Sequence, residues 1–430
     1  MKQRLFFCAD LGTSSLKAAL IDTAGSLHGF TRISYTIADS ADSWLTAFYE
    51  AVERLAAALN GKKLCPVSAV VVSGSGPTLA PALGEDSSSE TLRPLYWYNA
   101  LAQNAAASAK EQTPLKKCAS LFLPRVKAFM DAFPADFAKT RYFFSPQEWL
   151  LWKLGARPVT VLPHSGFEPY YWDDNQCGES GIDRDRFPPF VIMGSVIGEL
   201  SPNALSKTAA KHSVITRLLP PGIPLVAGAS DFIMALIGTE TLEPGKVCDR
   251  TGSSEGINLC VTQETAARYS AKTETCPVGS GELRILPHAM EGLWNMGVVI
   301  PKSGMLFEEY RKLNCYEKKS YAELTAEILC DTSHSGRSIL ESMGRAFSVA
   351  LDNLECAGFA IKELVLSGGQ CSDPLWNQYK ADISGRILNV PEVVHAELAG
   401  NAIIAAALEG GSIREWAARM IRIKETFVPK

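Results

Sequence analysis

Short apolar runs broken by polar turns recur along the chain, and one of these patterns occurs twice. In the first copy, the apolar run Leu5 to Ala9 passes through residues 10–14, Asp-Leu-Gly-Thr-Ser, into alternating apolar positions. In the second, a shorter apolar run passes through residues 249–254, Asp-Arg-Thr-Gly-Ser-Ser, into a similar stretch. A strand, a tight polar turn and a second strand predict a β-hairpin in each place.

A second repeated pattern follows each hairpin. Residues 67–76 and 362–369 both contain apolar runs that end in a Ser-Gly loop, which predicts a buried strand at the same place in each half. Matching halves indicate an ancient duplication of one domain. Because 430 residues exceed what one hydrophobic core supports, we expect two domains, 1–240 and 241–430.

The rest of the pattern predicts alternating helices and strands. Helical spacing of apolar positions predicts helices over 43–60 and 338–358. A run of small apolar residues predicts another over 400–410, which can pack closely against another backbone. Ser145 before Pro146 predicts a helix N-terminus. Further expectations are strands over 69–72 and 224–231, a helix over 232–238, and polar loops over 86–90 and 176–186.

Composition describes an ordinary globular protein and narrows its partners. The chain is 47% hydrophobic and 20% charged, with a net charge of -4 and no basic stripe, which argues against a nucleic-acid partner. Its 11 cysteines contain no Cys-x-x-Cys pair and, with 6 histidines, show no zinc spacing, so a reduced compartment is expected. No apolar window approaches the ~20 residues of a membrane helix, and the N-terminal run is too short for a signal peptide. We expect a cytoplasmic protein with no membrane partner.

The repeated turns and one strand end suggest the chemistry. Gly, Thr and Ser offer backbone N–H groups and hydroxyls to phosphate oxygens, so two such turns suggest a nucleotide phosphate chain held between two related domains. Asp231 ends a predicted strand after small residues, including Gly228, that leave room for a ligand. A carboxylate at the carboxyl end of a strand is well placed for chemistry.

Six motifs in a fixed order resemble those of the FGGY family of carbohydrate kinases, within the sugar kinase, actin and heat-shock chaperone superfamily. They are the phosphate motifs at 10–14 and 249–255, the segment 92–97 ending in a substrate-side Trp, the Gly-x-x-Asp motif at 228–231 followed by Gly238, the adenosine motif at 367–369, and the C-terminal segments 376–378, 381–382 and 399–402. The resemblance implies an α/β fold of two actin-like, ribonuclease H-like domains with a nucleotide and sugar cleft between them. The first domain would bind sugar and phosphate, and the second the nucleotide.

The resemblance also implies ATP-dependent phosphorylation of a hydroxyl on a small sugar, ketose or polyol. Asp231 would act as general base, which agrees with the need to remove the hydroxyl proton during phosphoryl transfer. Asp10 would hold Mg²⁺ through water. ATP would be bound by Gly12, Thr13, Ser14, Lys17, Thr251, Gly252, Ser253, Gly368, Gly369, Gln370 and Asn401. The acceptor would be bound by Gly76, Pro77, Trp97, Asn99 and Asp231.

Each of these residues has an ordinary structural alternative. Asp10 could cap the turn that it begins, and Asp231 could cap the helix that follows it. Lys17 could be a solvated strand residue, and Trp97 could belong to the core. The two glycines at 368–369 could form an ordinary turn.

The chain also departs from the family's pattern. Trp97 is followed by Tyr-Asn-Ala-Leu where the family commonly has x-Asp-x-Arg, so Asn99 replaces the acid and the Arg is missing. Gly76-Pro77 stands where xylulose kinases carry Met-His, which argues against xylulose as the acceptor. Residues 303–337 form a shorter region than usual, without the Gly-Glu-Arg-x-Pro stretch, which indicates a shortened member.

Two classes of function therefore stay open. Both phosphate turns, Asp10 and Asp231 favour an active kinase. The shortened region and the residues after Trp97 favour a catalytically weak relative that senses or binds sugar or nucleotide. An actin-like or chaperone ATPase is disfavoured by the Trp97 and Gly-x-x-Asp segments, and fold alone does not decide among these. A homodimer is left open.

Overall fold

The computed structural model describes residues 3–35, 40–59, 65–84, 92–108, 120–206, 217–252, 254–270 and 283–430. The chain divides into two compact units. Unit 1 comprises Met1–Met234 and Glu397–Trp416, and unit 2 comprises Ala235–Ala396 and Ala417–Lys430. The first division falls a few residues before the boundary expected at 240/241, and the return of 397–416 to unit 1 has no counterpart in the expected two-domain division.

The strands of unit 1 are β1 (Leu5–Leu11), β2 (Ser15–Asp22), β3 (Leu27–Ser34), β4 (Val67–Gly74), β5 (Ala80–Ala82), β6 (Tyr142–Phe144), β7 (Thr160–Leu162), β8 (Phe190–Ile192), β9 (Val196–Glu199) and β10 (Pro224–Ser230). The main sheet has the order β3-β2-β1-β4-β10-β9. β1, β4 and β10 are parallel, and the other three are antiparallel to their neighbours. β1 is buried at every position, as expected for a central strand with both faces covered.

Unit 2 repeats this arrangement. Its strands are β11 (Val247–Thr251), β12 (Glu255–Thr262), β13 (Leu283–Pro287), β14 (Leu293–Ile300), β15 (Glu363–Gly368), β16 (Ile387–Pro391) and β17 (Ile423–Phe427). The sheet order is β13-β14-β12-β11-β15-β16-β17, with β11, β15 and β16 parallel. β11 and β12 form an antiparallel hairpin, as β1 and β2 do, and the predicted duplication is therefore visible in both sheets.

Helices cover the sheets and fill the connections. They span Asp42–Ala58, Ala100–Ser108, Leu123–Ala132, Pro134–Lys139, Pro146–Leu154, Asp174–Glu179, Pro202–Ser206, Asp231–Gly238, Gln263–Ser270, Ser303–Leu313, Tyr321–Cys330, Arg337–Glu355, Pro374–Ser384, Ala396–Ala407 and Ile413–Met420. In Asp42–Ala58, buried Trp44, Phe48 and Leu55 recur at helical spacing, and Phe48 meets Phe7 of β1 edge to face with ring centroids 5.4 Å apart. None of the helices in these residues is long and apolar enough to cross a membrane.

Most of the predicted elements are confirmed, with two corrections. The segment 176–186 is not a loop throughout, because Asp173 and Gln176 form a reciprocal cap that starts the helix Asp174–Glu179. The helix predicted over 400–410 begins at Ala396 instead. Gly400 lies inside it, where a side chain would approach the Met234 carbonyl oxygen to 2.1 Å, so this glycine permits close packing and does not start the helix. The predicted loop over 86–90 lies outside the described residues.

Candidate active site

Three parallel strands of unit 1 end at one edge of its sheet. β1 ends one residue after Asp10, and its last carbonyl accepts a 2.8 Å hydrogen bond from the backbone of Ser75, which follows β4. Ser230, the last residue of β10, lies in register with Gly74 at the end of β4. Asp10, the loop after β4 and Asp231 are therefore neighbours at the carboxyl ends of parallel strands, where α/β sheets bind ligands.

Asp10 is buried at this edge and has a lysine beside it. Its Oδ1 accepts a 2.9 Å hydrogen bond from Ser73, and its Oδ2 lies 3.5 Å from Lys17 Nζ. The same Nζ lies 3.7 Å from Glu397 Oε2. Lys17 thus bridges two carboxylates, and the alternative of a merely solvated strand residue does not hold.

Carboxylates outnumber the lysine in this cluster. Burial raises the pKa of Asp10 to about 6; Lys17 opposes this shift, while Glu397 and Asp231 add to it. Burial acts to lower the pKa of Lys17, but Glu397, Asp10 and Asp231 outweigh it and raise that pKa. Polyphosphate would be repelled by such a cluster unless a divalent cation came with it.

Asp231 is the first residue of the helix Asp231–Gly238, and its Oδ1 accepts a 2.6 Å hydrogen bond from the Phe232 backbone. A side chain on Gly76 would come 3.2 Å from Ser230 Cβ, so the predicted acceptor loop at Gly76-Pro77 lies beside Ser230, the residue before Asp231. Gly228 has a different role from the one expected. Its Cβ would lie 2.1 Å from the Val72 carbonyl oxygen, so this glycine permits close strand packing and does not make room for a ligand.

Trp97 is 38% exposed and is not a core residue. Its backbone N–H donates to Thr78 Oγ1 over 3.3 Å, which ties it to the residue after Pro77. Asn99 lies at the N-terminus of the next helix, where its Oδ1 accepts from the Leu101 backbone over 2.9 Å. The amide that replaces the family's acid therefore acts as a helix cap here.

The first phosphate turn, residues 12–14, is held by its own backbone and by Tyr35. Gly12 N–H donates to the Ser15 carbonyl over 3.0 Å, and Tyr35 N–H donates to the Ser14 carbonyl over 3.0 Å. The Tyr35 hydroxyl also donates to the Gly12 carbonyl. These bonds occupy the carbonyls of Gly12 and Ser14 and the N–H of Gly12, and so fix the backbone on either side of Thr13.

Asn401 lies in the interior of unit 1. Its Nδ2 donates to the Ala9 carbonyl over 2.8 Å and to Ser73 Oγ over 3.0 Å, and the side chain is completely buried. These bonds join the helix Ala396–Ala407 to β1 and β4 beneath Asp10. Its expected contact with the nucleotide stays a prediction.

The second phosphate turn joins β11 to β12 in unit 2. Thr251 Oγ1 donates to the Ser367 carbonyl over 2.7 Å, and Gln370 Nε2 donates to the Gly252 carbonyl over 3.4 Å. Gly368 has a φ of 98°, and a side chain there would lie 1.9 Å from the Thr251 carbonyl oxygen. Only glycine allows this approach, so the loop at 368–370 packs directly on the turn. Ser253 lies outside the described residues.

The residues around Asp10 fit Mg²⁺ in one particular way. The described residues contain no group of three or more His, Cys, Asp or Glu side chains that could hold a metal. Mg²⁺ is commonly bound through one or two carboxylates together with substrate phosphates, without a complete protein cage. One buried carboxylate beside a phosphate turn matches this mode of binding.

Several similar proteins are known. The C-terminal domain of the FGGY family of carbohydrate kinases matches residues 324–409. A xylulose kinase of Bacillus subtilis is 22% identical over 98% of this chain and 92% of its own length. A glycerol kinase of Albidiferax ferrireducens is 24% identical over 62% of this chain and 59% of its own length. The alignment with the xylulose kinase spans 477 positions, more than the 430 residues here, in line with a shortened chain.

Solved structures agree in fold. A xylulose kinase from Lactobacillus acidophilus matches with a TM-score of 0.76 at 14% identity, covering 99% of this chain and 94% of that one. The Plasmodium falciparum glycerol kinase, solved with ADP, matches with a TM-score of 0.75 at 14% identity, covering 100% and 94%. The two units thus have the architecture of two-domain sugar kinases. The chain thus resembles the FGGY carbohydrate kinases in the sequence of residues 324–409 and in its fold.

Some residues of this site were not predicted from the sequence. Ser73 reaches Asp10 through the pairing of β1 with β4, and Tyr35 reaches the turn from the end of β3. Glu397 reaches Lys17 from the helix Ala396–Ala407, 380 residues further along the chain. Gly304 is another. A side chain there would lie 2.1 Å from the Gly252 carbonyl oxygen, so the start of the helix Ser303–Leu313 packs on the second turn. The one hint in the sequence was the Ser-Gly pair at the end of a predicted buried strand, which includes Ser73.

Proposed function

We propose that the protein transfers the γ-phosphate of ATP to a hydroxyl of a small sugar, ketose or polyol. The observation that carries this proposal is the convergence of Asp10, Lys17 and Asp231 at the carboxyl ends of β1, β4 and β10. Unit 1 would bind the acceptor and the transferred phosphate, and unit 2 would bind the nucleotide through its own turn.

Asp231 would be the general base. It follows β10 at the edge where the acceptor loop lies, and its Oδ1 is already engaged by the Phe232 backbone. The proposal assigns the acceptor proton to the Asp231 carboxylate, whose orientation is fixed by the hydrogen bond at Oδ1. A positioned base typically contributes a factor of about 10²–10⁴ in rate.

Asp10 would hold Mg²⁺, which when bound neutralises charge on the phosphates. The bond from Ser73 orients the carboxylate, and Lys17 keeps it ionised in a buried place. The phosphates would bind at Gly12, Thr13 and Ser14, whose turn is shaped by Tyr35.

Trp97 would supply an apolar surface for the carbon face of the acceptor. An indole that is 38% exposed in a segment tied to Thr78 is suited to that contact. Xylulose and glycerol kinases are both among the relatives, so the class of acceptor is open to small ketoses and polyols.

The proposal is tested by measuring ADP release from Mg-ATP across pentuloses, pentitols, hexuloses and glycerol. Acceptor-dependent turnover with phosphorylated product detected by mass spectrometry is the expected result. ADP binding without turnover on any acceptor would contradict the kinase proposal and favour a sensor. ADP release that does not depend on the acceptor would favour an ATPase.

A further inference from the structure

Three charged side chains form a sealed cluster inside unit 2. Lys380 Nζ donates to Asp249 Oδ2 and, over 2.5 Å, to Glu255 Oε1. Ser303 Oγ donates to the other Glu255 oxygen, Oε2, over 3.0 Å. The Lys380 side chain is 1% exposed, and both carboxylates are fully buried. The ammonium also faces the Phe347 ring, 3.9 Å from its centroid.

This cluster surrounds the base of the second phosphate turn. Asp249 belongs to β11, Glu255 begins β12, and the turn joins the two strands between them. Lys380 reaches them from the helix Pro374–Ser384, which follows the loop at 368–370. Through Ser303 the cluster also fixes the start of the helix whose Gly304 packs on the Gly252 carbonyl.

Stability alone does not account for such a cluster. Removing charges from water is costly. A protein in which well-packed apolar residues of similar volume replace a buried ion pair is often equally stable or more stable. One lysine between two carboxylates does fix their relative position, because Asp249 of β11 and Glu255 of β12 must both contact the same Nζ atom. Buried charges can therefore specify a local arrangement that apolar packing leaves looser.

The first hairpin has a similar cluster of one lysine and two carboxylates, but its lysine is more exposed to solvent. Lys17, Asp10 and Glu397 likewise place one lysine between two carboxylates beside a phosphate turn. Lys17 lies directly across the hairpin from Asp10, whereas Ile257 is the residue across from Asp249. The Lys17 side chain is 22% exposed, but Lys380 is sealed. Lys380 thus has no access to a ligand and can act only through the residues it holds.

We propose that Lys380 is a positioning residue for nucleotide binding, because it clamps Asp249 and Glu255 and so fixes both ends of the second phosphate turn. The inference rests on the proposed function, in which unit 2 binds the nucleotide. Lys380 and Ser303 themselves lie outside the motifs that suggested that function. Ser303 extends the clamp to the helix that packs against the turn.

Ser303→Ala gives the mildest test, since it removes one hydrogen bond from Glu255 and no charge. We expect the Kd of Mg-ADP, measured by calorimetry, to rise about fivefold, in line with the typical net contribution of one hydrogen bond. The KM for ATP should rise similarly, while kcat at saturating ATP and the KM for the acceptor stay within about twofold. Ser338→Ala, at an exposed position of unit 2, is the control.

The combined variant Lys380→Met, Glu255→Leu, Asp249→Asn separates geometry from stability. Because all three charges are removed together, we expect a folded protein with a Tm near that of the parent. Its Kd for Mg-ADP should rise by about tenfold or more. Lys362→Met, at an exposed lysine of unit 2, is the matched control and should bind Mg-ADP as the parent does.

The outcomes separate the two proposals. Folded variants that bind Mg-ADP as tightly as the parent would overturn the role of Lys380 while leaving the kinase proposal intact. If the combined variant does not fold, Ser303→Ala decides by the same criterion. A parent protein that binds no Mg-ADP would overturn the proposed function and, with it, the role of Lys380.

Discussion

Lys17 Nζ lies 3.5 Å from Asp10 Oδ2, across a hairpin whose two strands pair these residues directly. This pairing explains how a buried carboxylate stays available at the end of a central strand. The charged form of Asp10 is disfavoured by burial and by two further carboxylates, and it is favoured by Lys17. A divalent cation arriving with phosphates would find a preformed negative site.

Asp10→Asn should stabilise the protein while removing activity. The pKa of Asp10 is raised to about 6 from an ordinary value of 3.8, so the folded state binds the proton more tightly than the unfolded state does. The free energy of unfolding therefore falls as pH rises between these values, and the penalty is fully present above pH 6. Asn carries no such charge.

Denaturant unfolding at several pH values checks this prediction. The variant should exceed the parent in free energy of unfolding at pH 7.5, and the difference should shrink towards zero as pH approaches 4. Asp174→Asn, at a carboxylate on the surface of unit 1, is the control. A variant less stable than the parent at pH 7.5 would mean that Lys17 outweighs burial.

Trp97→Ala should affect the acceptor more than the fold. The indole is already 38% exposed, so its removal should cost at most about 2 kcal/mol of stability. If it forms the acceptor surface, the KM for the acceptor should rise about tenfold while the KM for ATP is unchanged. Phe30→Ala, at an exposed aromatic of β3, should change neither constant. Equal effects on both KM values would argue against a contact with the acceptor.

Gly228→Ala should be strongly destabilising. The added methyl would lie 2.1 Å from the Val72 carbonyl oxygen, an overlap that requires β10 and β4 to separate. Overpacking of this kind costs about 1–3 kcal/mol or more. Gly178→Ala is the contrast, because nothing lies within 4 Å of its Cβ in a helix, where alanine is favoured by about 0.5–1 kcal/mol. Thermal unfolding of both variants, with a lower Tm expected only for the first, provides the measurement.

Local patterns predicted the elements that depend on neighbouring residues. The hairpins at 10–14 and 249–254, the capped helix at Pro146 and the strand before Asp231 follow from apolar periodicity and turn residues. The duplication was visible because both copies kept the same turn. In contrast, the helix Ala396–Ala407 was placed too late, since Gly400 resembles a helix boundary until its contact with Met234 is known.

The sequence predicted only part of the site, because some of its contacts join residues that are far apart along the chain. Asp10, Lys17 and Asp231 lie in recognisable motifs, but Glu397 and Lys380 reach their partners through pairings over more than a hundred residues of sequence. Nothing near these residues marks them as charges that become buried. A lysine or glutamate on an amphipathic helix ordinarily faces solvent.

The measurement that tests the account most directly is single-turnover phosphoryl transfer by Asp231→Asn beside the parent, on whichever acceptor the parent phosphorylates best. Loss of the base predicts a fall of about 10²–10⁴ in the rate of transfer, with the Kd of Mg-ADP unchanged and Asp174→Asn as active as the parent. An Asp231→Asn protein that transfers phosphate as fast as the parent would contradict the assignment of the base and the reading of the site built on it.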